Sequence, residues 1–257
     1  MALHSHVYCK DNFLKSVFLS IVIPAYNESN RIVKTLDLLS AYLSLQDYSW
    51  EIVVVNDGSL DGTINEIKGW VIIHPLINVH LIDLVHRGKG AAVRSGMSYA
   101  AGRFKMMCDA DLAMPVDHIA DFIREMRLGR DVVVGSREAA GAIRINESKF
   151  RHIVGRFFNW FVNLLIDSGF KDTQCGFKCF TSNAAKLLFD RQVVDGWAFD
   201  VEVLMLAKKY NMTTFELPIR WYHNSDSRLR IGPAAIEMIR DTILVKIRHI
   251  MGIYKMR

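Results

Sequence analysis

Short apolar, β-branched runs alternate along this chain with longer stretches of helical period, and that alternation predicts the fold class. LSIVIPAY (19–26) reads as a buried strand, and residues 28–46 follow with apolar positions spaced for one face of a helix. EIVVVND (51–57) is a second buried run. The turn Asp57-Gly58-Ser59 comes next, with Asp61 placed to cap the following helix. Further strands are predicted at 79–85, 104–108 and 131–135, with helical patterns at 90–101 and 116–129 between them. Continuous apolar strands joined by helices are buried on both faces. The expected architecture is therefore α/β, a mainly parallel sheet flanked by helices.

In open α/β sheets, ligands bind outside the carboxyl ends of the strands. Polar residues fall at five such ends: Asn27 and Glu28, Asp57, His86 to Lys89, Asp109 with Asp111, and Ser136 with Arg137. This placement predicts a nucleotide-handling crevice. The sharpest motif is Asp109-Ala110-Asp111, after the apolar run FKMMC. Residues two apart on extended chain share a face, so both carboxylates are expected to converge on one hard divalent cation, Mg2+ or Mn2+. The plainer alternative is a solvated turn. Asp57 is placed to accept hydrogen bonds from a base or ribose, or simply to shape its turn. In His86-Arg87-Gly88-Lys89-Gly90 the glycines allow close backbone approach. Arg87, Lys89 and a helix N-terminus there supply positive potential for a diphosphate, although a basic exposed turn would look the same.

Two later stretches have the amphipathic pattern of interfacial helices. Residues 150–165 place Ile153, Val154, Phe157, Phe158, Phe161 and Leu165 on a broad apolar face, flanked by Arg151, Arg156 and Trp160. The last helix carries Ile236, Ile239, Ile243, Ile247, Ile250 and Tyr254 at helical spacing, with Lys246, Arg248, His249, Lys255 and Arg257 towards its end. Such helices suit a membrane surface, and core packing is the competing explanation.

Length and composition narrow the picture. With 257 residues, 51% hydrophobic and 23% charged, the chain suits one large domain. The expected division is a catalytic domain over 1–230 and an amphipathic C-terminal helix over 231–257. A net charge of +5 favours anionic partners such as phosphates, nucleotides or acidic headgroups, and no motif calls for nucleic acid. Cys9, Cys108, Cys175 and Cys179 are too few and too unevenly placed for a disulfide framework, and no Cys/His set completes a zinc site. They read as free thiols in a reducing compartment. Residues 1–15 lack the apolar core of a secretory signal, and no run reaches the ~18 apolar residues that span a bilayer. The expected location is cytoplasmic, peripherally attached to the cytosolic face of a membrane.

SIVIPAYNE, VVVNDGS, HRGKGAAVRSG, DAD, VVGSR, DTQCGFKCF and WAFDVEVL occur in that order between Ser20 and Leu204. The ordered set resembles the polyprenyl-phosphate sugar synthases of glycosyltransferase family 2, which include dolichyl-phosphate glucosyltransferases and mannosyltransferases. DTQCGFK followed by WAFDVE looks more like the glucosyl branch. That branch usually carries an N-terminal membrane anchor, which no run of this sequence is expected to supply; some mannosyl enzymes lack one too and rely on a membrane-anchoring partner subunit. The resemblance implies a GT-A fold, a nucleotide-sugar donor (UDP-glucose first, GDP-mannose second) and a polyprenyl or dolichyl phosphate acceptor. It also implies residue roles. Pro24, Tyr26, Glu28 and Asp57 would hold the nucleoside, with Lys89 near its phosphates. Asp109 and Asp111 would bind donor and metal. Arg137, with Arg144 or Arg151, would receive the acceptor phosphate, and Gln174 to Lys178 would line the sugar side.

Transfer from such a donor needs a stabilised leaving diphosphate and an aligned nucleophile. A lipid phosphate is already anionic, so a strong base is unnecessary; Asp172 and Asp200 are the candidates if one exists. The alternatives are a soluble family 2 transferase acting on a hydroxyl, a sugar nucleotidyltransferase, and a non-catalytic nucleotide-sugar sensor. PAYNESN lacks the glycine-rich loop that the second requires.

Overall fold

All five predicted apolar runs form strands: β1 (Leu19–Ala25), β2 (Trp50–Asp57), β3 (Val79–Leu84), β4 (Phe104–Met107) and β5 (Val132–Ser136). The computed structural model describes residues 16–147, 149–166, 169–223 and 231–254, without the side chains of 149–151, 153, 154 and 231–235. Expectations resting on residues 1–15, Lys255 and Arg257 lie outside the described residues, as do those resting on the side chains of Arg151, Ile153 and Val154.

The helices between these strands are α1 (Ile32–Ser44), α2 (Thr63–Ile73), α3 (Lys89–Tyr99) and α4 (His118–Arg127). Helix α1 begins later than the periodicity predicts. Asn27 has a positive φ of 56°, and the amides of Arg31 and Ile32 both donate to Glu28 O, forming a tight turn before the helix. Asp61 acts near the expected place, its carboxylate accepting the Thr63 amide at 3.0 Å, while the residue before α2 is Gly62.

Four elements of sheet structure were not anticipated. They are β6 (Ile143–Ile145), β7 (Lys178–Thr181), β8 (Thr214–Pro218) and β9 (Arg220–Tyr222). The main sheet runs β3-β2-β1-β4-β7-β5-β8, parallel except for β7, which is antiparallel to both β4 and β5. Strands β6 and β9 form a separate parallel pair. The remaining helices are α5 (Lys149–Ile166), α6 (Ser182–Phe189), α7 (Phe199–Lys209) and α8 (Ile231–Ile250).

Alternation along the buried strands builds two cores, because successive side chains point to opposite faces. Ile21, Ile23, Ile52 and Val54 pack with Leu36, Ile67 and Phe122 from α1, α2 and α4. Val22, Val53, Val55 and Met107 pack on the other face with Ala92, Leu188 and Leu204 from α3, α6 and α7. Each buried Val, Leu, Ile, Phe or Met among them contributes about 1.5–3 kcal/mol. The chain winds from β1 outward to β3 and then crosses to β4 on the other side of β1. This reversal is the switch point at which α/β sheets open a crevice.

The amphipathic helices divide differently from the sequence reading. In α5, Val162 and Ile166 are buried and Phe158 and Leu165 pack on the core, whereas Phe157, Trp160 and Leu164 are exposed. In α8, Ile236, Ile239, Ile243, Ile247 and Ile250 are exposed as the pattern implies. Tyr254 is the exception: it is 1% exposed, and its hydroxyl donates to Glu202 Oε1 at 2.5 Å. A phenol finding a buried carboxylate explains why it leaves the apolar face. No described helix is long and apolar enough to cross a membrane.

Candidate active site

A cleft of about 1320 Å³ opens at the switch point. Of the residues given a site role from the sequence, Cys175 and Lys178 do not line it, and the side chain of Arg151 lies outside the described residues; the others line it.

The carboxylate pair sits just past β4. Its backbone is not extended, as the two-residue spacing suggested. The Leu112 amide donates to Asp109 O at 3.2 Å, Leu112 has a φ of 44°, and the pair is carried on this turn. The two carboxylates still share one site. Burial, and then the negative charge of Asp109, raise the pKa of Asp111 above the usual carboxylate range. Among the described residues no group of three His, Cys, Asp or Glu side chains gathers to hold a metal by itself. Two carboxylates nevertheless fit Mg2+ or Mn2+, which take part of their oxygen shell from water and substrate phosphates. Gly176 makes space for the pair, since a Cβ there would overlap the Asp109 carboxylate.

The loop after β3 is held from behind. Asp57 is 2% exposed, and its two oxygens accept the amides of Arg87 and Gly88, each at 2.9 Å. The His86 ring nitrogen lies 2.9 Å from the same carboxylate and the ring stacks on Tyr26, with centroids 4.2 Å apart. Gly88 has a φ of 124° and its Cα faces Asp195 O, where a Cβ would come within 2.6 Å. Only glycine fits there. Lys89 opens α3, and its Nζ lies 2.6 Å from Asp109 Oδ1. Burial disfavours its charged form, but Asp109, Asp200 and Asp111 outweigh it and hold the pKa above the usual lysine range. Glu28 pairs with Arg31 at 2.6 Å, and its amide donates to Thr63 Oγ1. Pro24 lines the cleft beside Tyr26.

On the far side, Arg137 makes a two-pronged pair with Asp172, Nε to Oδ2 at 2.7 Å and Nη2 to Oδ1 at 2.8 Å, and sits over the Trp221 ring. Burial alone would raise the Asp172 pKa, yet the guanidinium lowers it to about 2. An aspartate held so strongly ionised is a weak proton acceptor near neutrality. Asp200 is 4% exposed and pairs with Lys178 at 2.6 Å; burial keeps its pKa above the usual range despite Lys178 and Lys89. Lys178 is 1% exposed and its ammonium is divided between Asp200 and Cys175 O, so it lies beneath the cleft and not along its sugar side. Arg144 has a partner at each guanidinium nitrogen: Arg137 O, Glu147 and Glu138. It fastens the segment from Glu138 to Glu147. Gln174 lines the cleft against Met238 of α8.

The family model for glycosyl transferase family 2 matches residues 20–187. The chain belongs to glycosyltransferase family 2. Among its family 2 relatives, a dolichyl-phosphate beta-glucosyltransferase of Trichomonas vaginalis is 36% identical over 252 residues, covering 94% of this chain and 74% of that protein. The enzyme of the same name from Dictyostelium discoideum is 34% identical over 260 residues, covering 96% and 79%. The Saccharomyces cerevisiae one is 32% identical over 263 residues, covering 94% and 78%. Of solved structures, glucosyl-3-phosphoglycerate synthase from Mycobacterium tuberculosis, in complex with Mn2+, uridine diphosphate and glucosyl-3-phosphoglycerate, superposes with a TM-score of 0.67. That match is 17% identical and covers 90% of this chain and 80% of that one. The expected GT-A fold is therefore the fold of this family 2 transferase.

Asp195 and Trp197 are site residues to which the family 2 motifs assign no role. Asp195 bridges Arg87 at 2.7 Å and Arg94 at 2.6 Å, locking the 193–197 loop onto the loop after β3. Trp197 lines the cleft with its ring 5.4 Å from the Lys89 ammonium. The Asp195-Gly196 dipeptide signals a turn from sequence alone, but only the fold brings that turn beside residues more than 100 positions earlier. The cleft reaches the exposed helices of the transferase as well, walled by Phe157, Phe158 and Phe161 of α5 and Met238, Ile239 and Leu244 of α8.

Proposed function

We propose that this chain transfers glucose from UDP-glucose to dolichyl phosphate at the cytosolic surface of a membrane, with inversion at the anomeric carbon. The observation that carries this reading is the continuity of the cleft, from the Asp109–Asp111 pair to an apolar wall shared by α5 and α8. A polar donor and a lipid-borne acceptor need such a site. The names of the relatives support a glucosyl donor, the dolichyl phosphate acceptor and the β product, which from an α-linked donor requires inversion. The buried free thiols of Cys108, Cys175 and Cys179 accord with a reducing compartment.

Asp109 and Asp111 would hold a divalent ion, Mg2+ or Mn2+, which when bound would supply Lewis-acid stabilisation of the leaving diphosphate. Tyr26 and the loop held by Asp57 receive the nucleotide. Asp172 orients Arg137, whose remaining N–H groups receive the acceptor phosphate in the planar geometry that lysine lacks. A phosphate oxygen attacks the anomeric carbon, the bond to the diphosphate breaks, and UDP leaves. The nucleophile is already an anion, with a second pKa of about 6, so neither Asp172 nor Asp200 needs to take a proton. Exposed Phe157, Trp160, Ile236, Ile243 and Ile250 rest in the lipid interface. Attachment of this kind is reversible, and a membrane-anchored partner subunit would strengthen it.

Calorimetry with UDP and GDP tests the donor assignment. UDP binding in the presence of Mn2+, weakened by Asp111→Asn, is the expected result. Tight GDP binding with none for UDP would move the chain to GDP-mannose.

A further inference from the structure

Lys89 is committed to the carboxylate that a metal ion would use. Its ammonium lies 2.6 Å from Asp109 Oδ1, and the carboxylates of Asp111 and Asp200 line the same cleft. The lysine is anchored on a rigid base. It follows Gly88, whose amide is held by Asp57 and whose Cα is pressed against Asp195 O. The side chain is 16% exposed and passes Trp197, so its ammonium has few places to go while Asp109 is its partner.

Two cations compete for one carboxylate here. An ammonium and a divalent ion a few ångströms apart in a partly buried cleft repel far more strongly than in water. A diphosphate reverses the balance, since it offers Lys89 an anionic partner and gives the metal further oxygen ligands. We propose that Lys89 is an exchangeable counter-ion: without donor it neutralises Asp109 and opposes metal entry, and the donor's diphosphate draws it away, so that metal and donor bind cooperatively. This rests on the metal reading given above. By linkage, the factor by which UDP tightens metal binding must equal the factor by which metal tightens UDP binding.

The test is Mn2+ binding without nucleotide, followed by the paramagnetic resonance signal of free Mn2+, for the wild-type protein, Lys89→Gln and Lys89→Arg. Lys89→Gln should bind Mn2+ roughly tenfold more tightly than wild type, a typical coupling factor. Lys89→Arg, which keeps the charge, should stay weak. Equal or weaker Mn2+ binding by Lys89→Gln, with wild-type binding still abolished by Asp111→Asn, would overturn the counter-ion role and leave the metal site standing. No Mn2+ binding by any of these proteins, even with UDP present, would overturn the metal reading and this inference with it.

Discussion

Asp172 and Arg137 show how one partly buried pair serves both stability and the site. The pKa of Asp172 is depressed from 3.8 to about 2, so its contribution is fully present above the ordinary carboxylate range and is lost as pH falls through about 2. A shift of this size corresponds to about 2 kcal/mol between about pH 4 and pH 2. Asp172→Asn should lower stability at neutral pH by about 2 kcal/mol, because it leaves a partly buried guanidinium without its carboxylate. Urea unfolding at pH 7 and pH 3 should also show a smaller acid loss in the variant than in wild type; equal losses would mean the pair does not carry the acid sensitivity. Gly176 gives a second prediction at this scale. Gly176→Ala should displace the Asp109 carboxylate and lower the transfer rate about a hundredfold, the effect of a misplacement of about 1 Å. Thermal unfolding would check that the fold survives, and an unchanged rate would show that Asp109 has room to move.

Among the elements, α5 and α8 carry the sharpest prediction because exposed Trp160 and Ile243 lie outside the cleft wall. Changing Trp160 and Ile243 together to serine should lower co-flotation with anionic vesicles more than about tenfold, from the apolar area no longer buried in lipid. High salt should release part of the wild-type protein. Flotation unchanged by the double substitution would remove these helices from the interface. The same elements mark what the sequence reveals and what it does not. Strands β1 to β5 were legible as long apolar runs. Strand β7 was not, because its four residues include Lys178, a buried charge that only the fold supplies with Asp200 as partner. The helical spacing of α8 was visible, yet Tyr254 fits the apolar stripe as well as any isoleucine; its burial depends on Glu202, fifty-two residues earlier. In the site, strand ends located Asp57, Asp109 and Arg137. The commitment of Arg144 to Glu138 and Glu147, and the clamp made by Asp195, are long-range or loop contacts without a periodic signature.

In the molecule as a whole, a polar cleft at a sheet switch point runs on to an apolar wall on exposed helices. The family 2 match and the GT-A fold allow many acceptors, and the apolar second half of the cleft is what favours the proposed lipid phosphate. The most direct measurement is transfer of radiolabelled glucose from UDP-glucose to a short polyprenyl phosphate by the purified protein, with Mn2+ and again with EDTA. The account predicts an acid-labile lipid-linked glucose that forms with Mn2+ and is lost with EDTA. Efficient transfer to a water-soluble alcohol with none to the lipid phosphate, or full transfer in EDTA, would contradict it.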